Sequence, residues 1–512
     1  MLKRSYPIQL QPSRHLLALL CFLCATTSSW AAPKWWTAEA APFQVISNAR
    51  KVEIQRSFEY IWHARAGLQV IFPELRQDGD DPLLLAIAGN ANTRDSLSFR
   101  TGRRRRSLGG YFTHDCAGHY TIINDIGSEE LTRQTIVHEY VHHLMRKYSN
   151  APLWIKEGFA ELFSTIHQNK NGQLVLGLPI ATNVQYLRYE GFMPIKQLVN
   201  VHQRSPEYTG GQHTGTFYSQ SWLLLHYLLL GEHEIPFSKV TSFVHGALNS
   251  RATTESLFNE HLGLGFFELE ERLEQHLIKG RSHTLTFELP EQQKAPAVEL
   301  VAASEQETET LFARVALGHS KGDDTRAIIS AARKKWPNSA ELLALEGEWL
   351  HRNERSEEAL RYFESALASD DKNARANFWY AVIHGGELLE GSFYQPGALN
   401  QEETLKLLTH LFRAKQSGAG HYPQLYSWIG TIWLSSDVYP ESRHMTILEN
   451  ALAEHPGRYG IIHCLTLYYA RSGKYEKAEA LIKDSLPLML ESSREDFLAD
   501  FSDLRSIDPI YK

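Results

Sequence analysis

The sequence predicts two parts in series: an α+β region built on a small mixed sheet, then an all-α solenoid of helical repeats. Three observations carry that expectation. Short apolar runs bounded by turn residues alternate with helical patterns over 34–128, and helical periodicity dominates 129–283. Beyond 304, small residues recur at a spacing of thirty-four. At 512 residues the chain is too long for one ordinary core. With 43% hydrophobic and 22% charged residues it reads as globular, and a net charge of -7 gives no general attraction to nucleic acid or an anionic membrane.

The elements follow in chain order. Lys3, Arg4 and Arg14, then "LLALLCFLCA", then "SSWAAP" have the layout of an export signal over 1–31, with cleavage after Ala31 and Ser29 at the minus-three position. The apolar run is short for a membrane span. An exported chain, periplasmic or secreted and without stable membrane insertion after cleavage, is expected. Over 32–128, "FQVIS" and "LLLAIAG" read as strands and "ARKVEIQRSFEYIWHARAG" as a helix. "GGYFTHDCAGHYTIIND" reads as a hairpin, and "RRRR" at 103–106 as a charged loop beside it. Over 129–283 come helices. "SEELTRQTIVHEYVHHLMRKY" has a Ser cap, an acidic first turn and a basic end, and "LWIKEGFAELFSTIH" restarts after the break at "SNAP". "FYSQSWLLLHYLLLG", "PFSKVTSFVHGAL" and "FFELEERLEQHL" follow. Residues 284–303, with prolines and no helical stripe, are expected as a linker.

From 304 to 490, Ala313, Ala332 and Pro337 return as Gly347, Ala366 and Asp371, with Ala359 and Phe363 between them. Small residues at these places let paired helices approach closely, and the pattern resembles the tetratricopeptide repeat. Five units are counted, the third interrupted by about fifteen inserted residues before "EETLKLLTHLF". Residues 491–512 are left as a tail. Of four cysteines, Cys21 and Cys24 leave with the leader. Cys116 and Cys464 remain, which excludes a disulfide framework and a cysteine zinc site and suits two small buried hydrophobes.

The chemistry concentrates in "HEYVH". His138 and His142 are four apart on a helix, so both imidazoles leave one face, a spacing that delivers two nitrogens to a tetrahedral zinc. Glu139 borders the open position, where it can relay a proton from a water whose pKa the metal lowers to about 7. With 24 histidines in the chain this motif alone is weak. A third ligand is required, and the next helix offers Glu157 and Glu161, themselves four apart and both able to point back. Gly158 and Ala160 are small enough for the two helices to pack closely.

"HEYVH" followed by "WIKEGFAELF" resembles the gluzincin superfamily of zinc metallopeptidases, above all its exported bacterial members with W-x-x-E-G-x-A-E. The resemblance implies a zincin-like catalytic domain with one Zn2+ per chain, held by His138, His142 and Glu157. It implies that Glu161 orients His138 through a hydrogen bond. The aminopeptidase-N family has eighteen residues between the second histidine and its ligand glutamate, which would select Glu161. The W-x-x-E-G-F-A alignment selects Glu157. "FYSQSWLLLHYLLL" is similar to the aminopeptidase-N segment whose tyrosine donates to the oxyanion, a role that carries over to Tyr218 and is worth on the order of 3–4 kcal/mol. The Lys-Gly pair of that segment is replaced by Gln220 and Ser221. No Gly-x-Met-Glu-Asn stretch occurs over 60–137, so the resemblance implies an endopeptidase rather than an aminopeptidase. By analogy with the same family, "GGYFTHD" is expected as an edge strand to which an extended peptide pairs. His114, His119 and His143 are expected as non-ligands.

The expected function is therefore zinc-dependent hydrolysis of a peptide or protein substrate, with Glu139 and Tyr218 catalytic and the repeats binding substrate or a protein partner. Two alternatives are a non-catalytic periplasmic scaffold acting through its repeats and an envelope quality-control protease.

Overall fold

A computed structural model of the chain describes residues 34–73, 82–97, 100–101, 104–105, 109–123, 127–148, 151–211, 213–249, 253–279, 283–289, 294–437, 441–489 and 491–511. The expected export signal over 1–31 lies outside the described residues. Strands β1 (Trp36–Ala40), β2 (Phe43–Ser47), β3 (Leu83–Ile87), β6 (Gly110–Asp115), β7 (Gly118–Ile123) and β11 (Val301–Ala302) make one six-stranded sheet in the order β11-β1-β2-β3-β7-β6. The β2–β3 and β3–β7 pairs are parallel, with Val45 opposite Leu85 and Leu85 opposite Thr121, and the other pairs are antiparallel. Strands β4 (Arg100–Thr101) and β5 (Arg104–Arg105) pair with each other, so part of the "RRRR" run, expected as a loop, is a two-residue strand. Strands β8 (His167–Gln168), β9 (Leu174–Leu176) and β10 (Leu285–Phe287) form a second, three-stranded sheet.

The central strands read as near-continuous apolar runs because both sheet faces are covered. Val45, Leu83, Leu85, Ile87 and Ile123 face one core, which they share with α1 (Lys51–Ile71), α3 (Glu129–Met145) and α4 (Leu153–Ser164). Helix α2 (Ala91–Leu97) follows β3. Alternate residues Ile46, Ala86, Tyr120 and Ile122 face the other way and pack on Leu311 and Val315 of the first repeat helix. Between α4 and the second sheet's last strand run α5 (Ala181–Glu190), α6 (Ile195–Leu198), α7 (Pro206–Thr209), α8 (Thr214–Leu230), α9 (Phe237–Leu248), α10 (Glu255–Leu262) and α11 (Phe266–Lys279). Helix α8 is buried along most of its length, which is why its sequence is apolar all round.

The segment 284–303, expected as a linker, carries two short strands among its described residues. It supplies β10 and β11, and the Ala303 amide donates to the Trp35 carbonyl at 3.0 Å. Its lack of helical periodicity is that of short extended strands. Then come five helix pairs: α12 (Glu305–His319) with α13 (Asp323–Lys335), α14 (Ala340–Arg352) with α15 (Ser356–Ser369), α16 (Ala374–Leu388) with α17 (Gln401–Gln416), α18 (Pro423–Ser435) with α19 (Ser442–Glu454), and α20 (Tyr459–Arg471) with α21 (Tyr475–Ser485). The recurrent small residues are contact points: a Cβ on Gly347 would lie 2.8 Å from the Phe363 ring. Residues 389–400 separate the third pair's helices, where an insertion was expected. The expected tail continues the fold with α22 (Glu491–Asp500), and Phe497, Phe501 and Leu504 enter the repeat core.

The repeats are bolted to the hairpin. Cys116, at the β6–β7 turn, is buried in the core of the repeats beside Ala374 and Phe378. Arg375, 1% exposed, reaches Asp115 at 2.5 Å and Glu341 at 3.1 Å, and also pairs with Glu348. His421 meets the Asp115 carbonyl at 2.8 Å through Nε2. From Trp35 onward the chain is one compact unit. Among the described residues no helix is long and apolar enough to cross a membrane.

Candidate metal centre and cleft

Helix α3 starts where its sequence says it should: Ser128 caps it, its Oγ accepting from the Leu131 amide at 3.3 Å, with Glu129 and Glu130 in the first turn. Its buried stripe, Ile136, Val137, Tyr140 and Val141, fixes the rotation and turns His138 and His142 toward α4. Helix α4 is anchored by Trp154, fully buried, whose Nε1 donates to Thr253 Oγ1 at 2.9 Å. Gly158 has a different partner from the one expected. A Cβ there would lie 2.7 Å from the Ser221 carbonyl of α8. Consecutive helical residues point about 100° apart, so Glu157 faces α3 while Gly158 admits the α8 backbone.

The result is a convergent trio. His138 Nε2 and His142 Nε2 are 3.0 Å apart, and Glu157 Oε2 lies 3.3 Å from the second and 3.5 Å from the first. Ligands 2.0–2.1 Å from a tetrahedral zinc are separated by about 3.3 Å, and the three measured edges bracket that value. Glu157 Oε2 is buried with no good hydrogen bond, and the two imidazole nitrogens beside it face each other at 3.0 Å, where in their neutral forms both can turn a lone pair to one shared cation. The residues therefore fit a divalent cation with nitrogen and oxygen ligands. Among the described residues this is the one group of three or more His, Cys, Asp or Glu side chains whose donor atoms converge so closely.

The neighbours complete the shell. Glu161 Oε1 stands 3.4 Å from His138 Nδ1, the nitrogen away from the trio, and Asn183 Nδ2 donates to Glu161 Oε2 at 3.0 Å. The geometry separates the two glutamates that spacing could not: Glu157 meets both Nε2 atoms and Glu161 only Nδ1. Burial opposes the charged form of His138, yet Glu157, Glu161 and Glu139 outweigh it and raise its pKa to about 9. Burial raises Glu139, against the pull of both histidines, and raises Glu161. Glu157 is also buried, but His142 and His138 hold it well below the usual carboxylate range.

A cleft of about 650 Å³ opens on the trio, lined by β6 from Gly110 to His114 on one side and by Tyr208 and Tyr218 on another. Among the described residues β6 ends the strand order of the sheet. The Phe112 amide approaches the Glu139 carboxylate. The two tyrosine rings stack 6.2 Å apart. Burial and the carboxylates, Glu157 first, keep the Tyr218 hydroxyl protonated far above neutrality. Tyr208 is shifted the same way, and its hydroxyl reaches the Glu157 carboxylate. Sequence reasoning missed Tyr208 and Asn183: each sits on a short helix, Tyr208 on α7 and Asn183 on α5, with no motif around it. Gln220 and Ser221, where Lys-Gly was absent, are structural. Gln220 clamps Met193 by two bonds, 2.9 Å to its amide and 2.7 Å to its carbonyl. His114, His119 and His143 lie outside the trio. They gather with His421, whose ring centre is 4.0 Å from that of His119.

No family model and no curated protein matches the chain. Among solved structures, a chain titled "Crystal structure of MamA" is similar at 14% identity and a TM-score of 0.26, over 39% of this chain and 99% of its own length.

Proposed function

We propose that the chain is a metal-dependent peptidase of the gluzincin type, zinc being the cation that suits two imidazoles and one carboxylate. The observation that carries the reading is the trio itself: three donor atoms at 3.0, 3.3 and 3.5 Å from one another, beside a buried glutamate and an open sheet edge.

His138, His142 and Glu157 would hold the cation, which when bound would supply Lewis-acid chemistry and lower the pKa of water. Every other part is played by the chain. A peptide laid along β6 would find backbone partners on the outer side of that last strand. Glu139 takes the proton of the attacking water on its carboxylate and passes it to the leaving amine nitrogen. Tyr218, with Tyr208 beside it, donates to the oxygen that gains charge on the scissile carbonyl. Glu161 binds Nδ1 of His138, which leaves the Nε2 lone pair for the metal side, and Asn183 fixes Glu161. Endopeptidase action suits a cleft lined by a strand edge. The repeats, in this reading, bind substrate or a protein partner.

The test is metal content and turnover measured together. One zinc per chain is expected, with cleavage of an unbiased peptide library. Glu139→Gln should keep the metal and lose about 100-fold or more in kcat. Glu157→Gln should lose the metal as well. A full-length protein that takes up no divalent cation, or an E139Q variant as fast as the native chain, refutes the reading.

A further inference from the structure

One wall of the cleft comes from the repeats. Arg458, the residue that opens α20, lines it together with residues of α3, α4 and β6. The same guanidinium also lines an adjoining pocket of about 260 Å³ where the hairpin meets the fourth and fifth helix pairs. Arg146, one turn beyond His142, lines both spaces as well, its side chain held along the wall by a bond from Nη1 to the His143 carbonyl at 2.6 Å.

The charge there is lopsided. Among the described residues no carboxylate pairs with Arg458. Burial lowers its pKa, and Tyr422 opposes that shift. Glu454 lines the adjoining pocket but bears on Tyr426 instead. The positive charge at this end of the cleft is felt by the imidazoles around it. Besides burial, Arg458 presses His114 and His455 toward the neutral form, and Arg146 does the same to His421 and His455. The carboxylates of the cleft, Glu139, Glu157 and Glu161, are engaged with the imidazole pair. A cation without a protein counterion, held open beside a strand edge, is what an anionic ligand group requires. A planar guanidinium matches a carboxylate through two parallel bonds.

We infer that the end of the cleft where the repeats meet β6 is a carboxylate-recognition subsite, in which Arg458, with Arg146, grips a carboxylate of the peptide substrate. The inference rests on the peptidase reading and adds a substrate class to it: acidic peptides, read by a residue that the repeat domain delivers. Two carboxylates share this chemistry. A peptide antiparallel to β6 brings an Asp or Glu side chain on the N-terminal side of the scissile bond to the His114 end. A peptide parallel to β6 brings its α-carboxylate there.

The experiment uses the full-length, zinc-loaded protein and four versions of one fluorescent peptide: with Asp or Asn upstream of the cleaved bond, each with a free or an amidated C-terminus. Kd is read by anisotropy on the Glu139→Gln protein and kcat/KM on the native one. Removing the recognised carboxylate should weaken binding and kcat/KM by about 10- to 100-fold, and the position at which this happens identifies the source. In Arg458→Gln the acid-to-amide ratio should fall to near one. In Arg458→Glu a Lys peptide should overtake the Asp peptide. Equal binding of all four peptides by the otherwise unaltered protein, a comparison needing no change at Arg458, overturns the subsite even if cleavage proceeds. Selective binding without any cleavage leaves the subsite standing and refutes the peptidase reading.

Discussion

Replacing Asp115 by Asn tests whether the contact between hairpin and repeats is an energetic bolt. Asp115 Oδ2 lies 2.5 Å from the Arg375 guanidinium, which is 1% exposed. Oδ1 accepts from the Ala117 amide at 2.7 Å and from the Tyr120 hydroxyl at 3.0 Å, bonds that an asparagine oxygen can keep. Burial works against the Asp115 carboxylate, but Arg375 and Arg314 prevail and hold its pKa at about 2 against an ordinary 3.8. Holding the carboxyl at about 2 rather than 3.8 corresponds to about 2–3 kcal/mol of stability at neutral pH. Because the folded-state pKa is the lower one, that contribution is fully present above about pH 4 and is lost as pH falls toward 2, with about half gone at pH 3. Urea unfolding followed by far-ultraviolet circular dichroism and tryptophan fluorescence should place D115N about 2–3 kcal/mol below the native chain at pH 7, and the gap should narrow at pH 3. Removing the buried partner instead, by Arg375→Met, should cost about 3–5 kcal/mol, since Glu348 and Glu341 are left facing each other. A D115N gap under about 0.5 kcal/mol at pH 7, or one that does not change between pH 7 and 3, refutes the bolt.

Gly158→Ala should lower stability by about 1–3 kcal/mol and weaken zinc binding, because the new methyl meets the Ser221 carbonyl at 2.7 Å and pushes α4 away from α8. Ala is the better helix former by about 1 kcal/mol, so a stabilised variant with unchanged metal affinity would show that the close approach does not exist. Glu161→Gln should weaken zinc about 10- to 100-fold in a chelator competition, and Asn183→Ala by less than about tenfold in the same direction. Equal affinities across the three proteins would remove Glu161 from the site. Cys464, its thiol pushed up to about 12 by burial, should resist iodoacetamide in the folded protein and react only after unfolding. Rapid labelling at pH 8 would contradict its burial.

What the sequence disclosed and what it hid differ by range. The Ser128 cap, the stripe of α3 and the His138–His142 spacing are local, and each follows from helix geometry. Thirty-four-residue recurrence exposes Gly347, where Ala313 stands one repeat earlier, and the Phe363 ring against it shows why the position stays small. The choice between Glu157 and Glu161 could not come from spacing, since i and i+4 share a helix face. It is resolved by which imidazole nitrogen each meets. The short strands within 284–303 escape the sequence because two- and three-residue strands carry too few side chains to show alternation. Arg375 reading Asp115 spans 260 residues, and Arg458 reaches the cleft from farther still. Contacts of that separation leave no period in a single sequence, only a charged residue in an otherwise ordinary helix.

Among the described residues the central strands are covered on both faces. Ile46, Ala86, Tyr120 and Ile122 lie under Leu311 and Val315, so cutting the chain near 304 would strip one entire face of the strands that carry the cleft's edge. The first repeat helix is thus part of the sheet's own core rather than an appendage to it. A partner that bends the solenoid would tug directly on β6, since Cys116 and Asp115 at its tip are embedded in that solenoid.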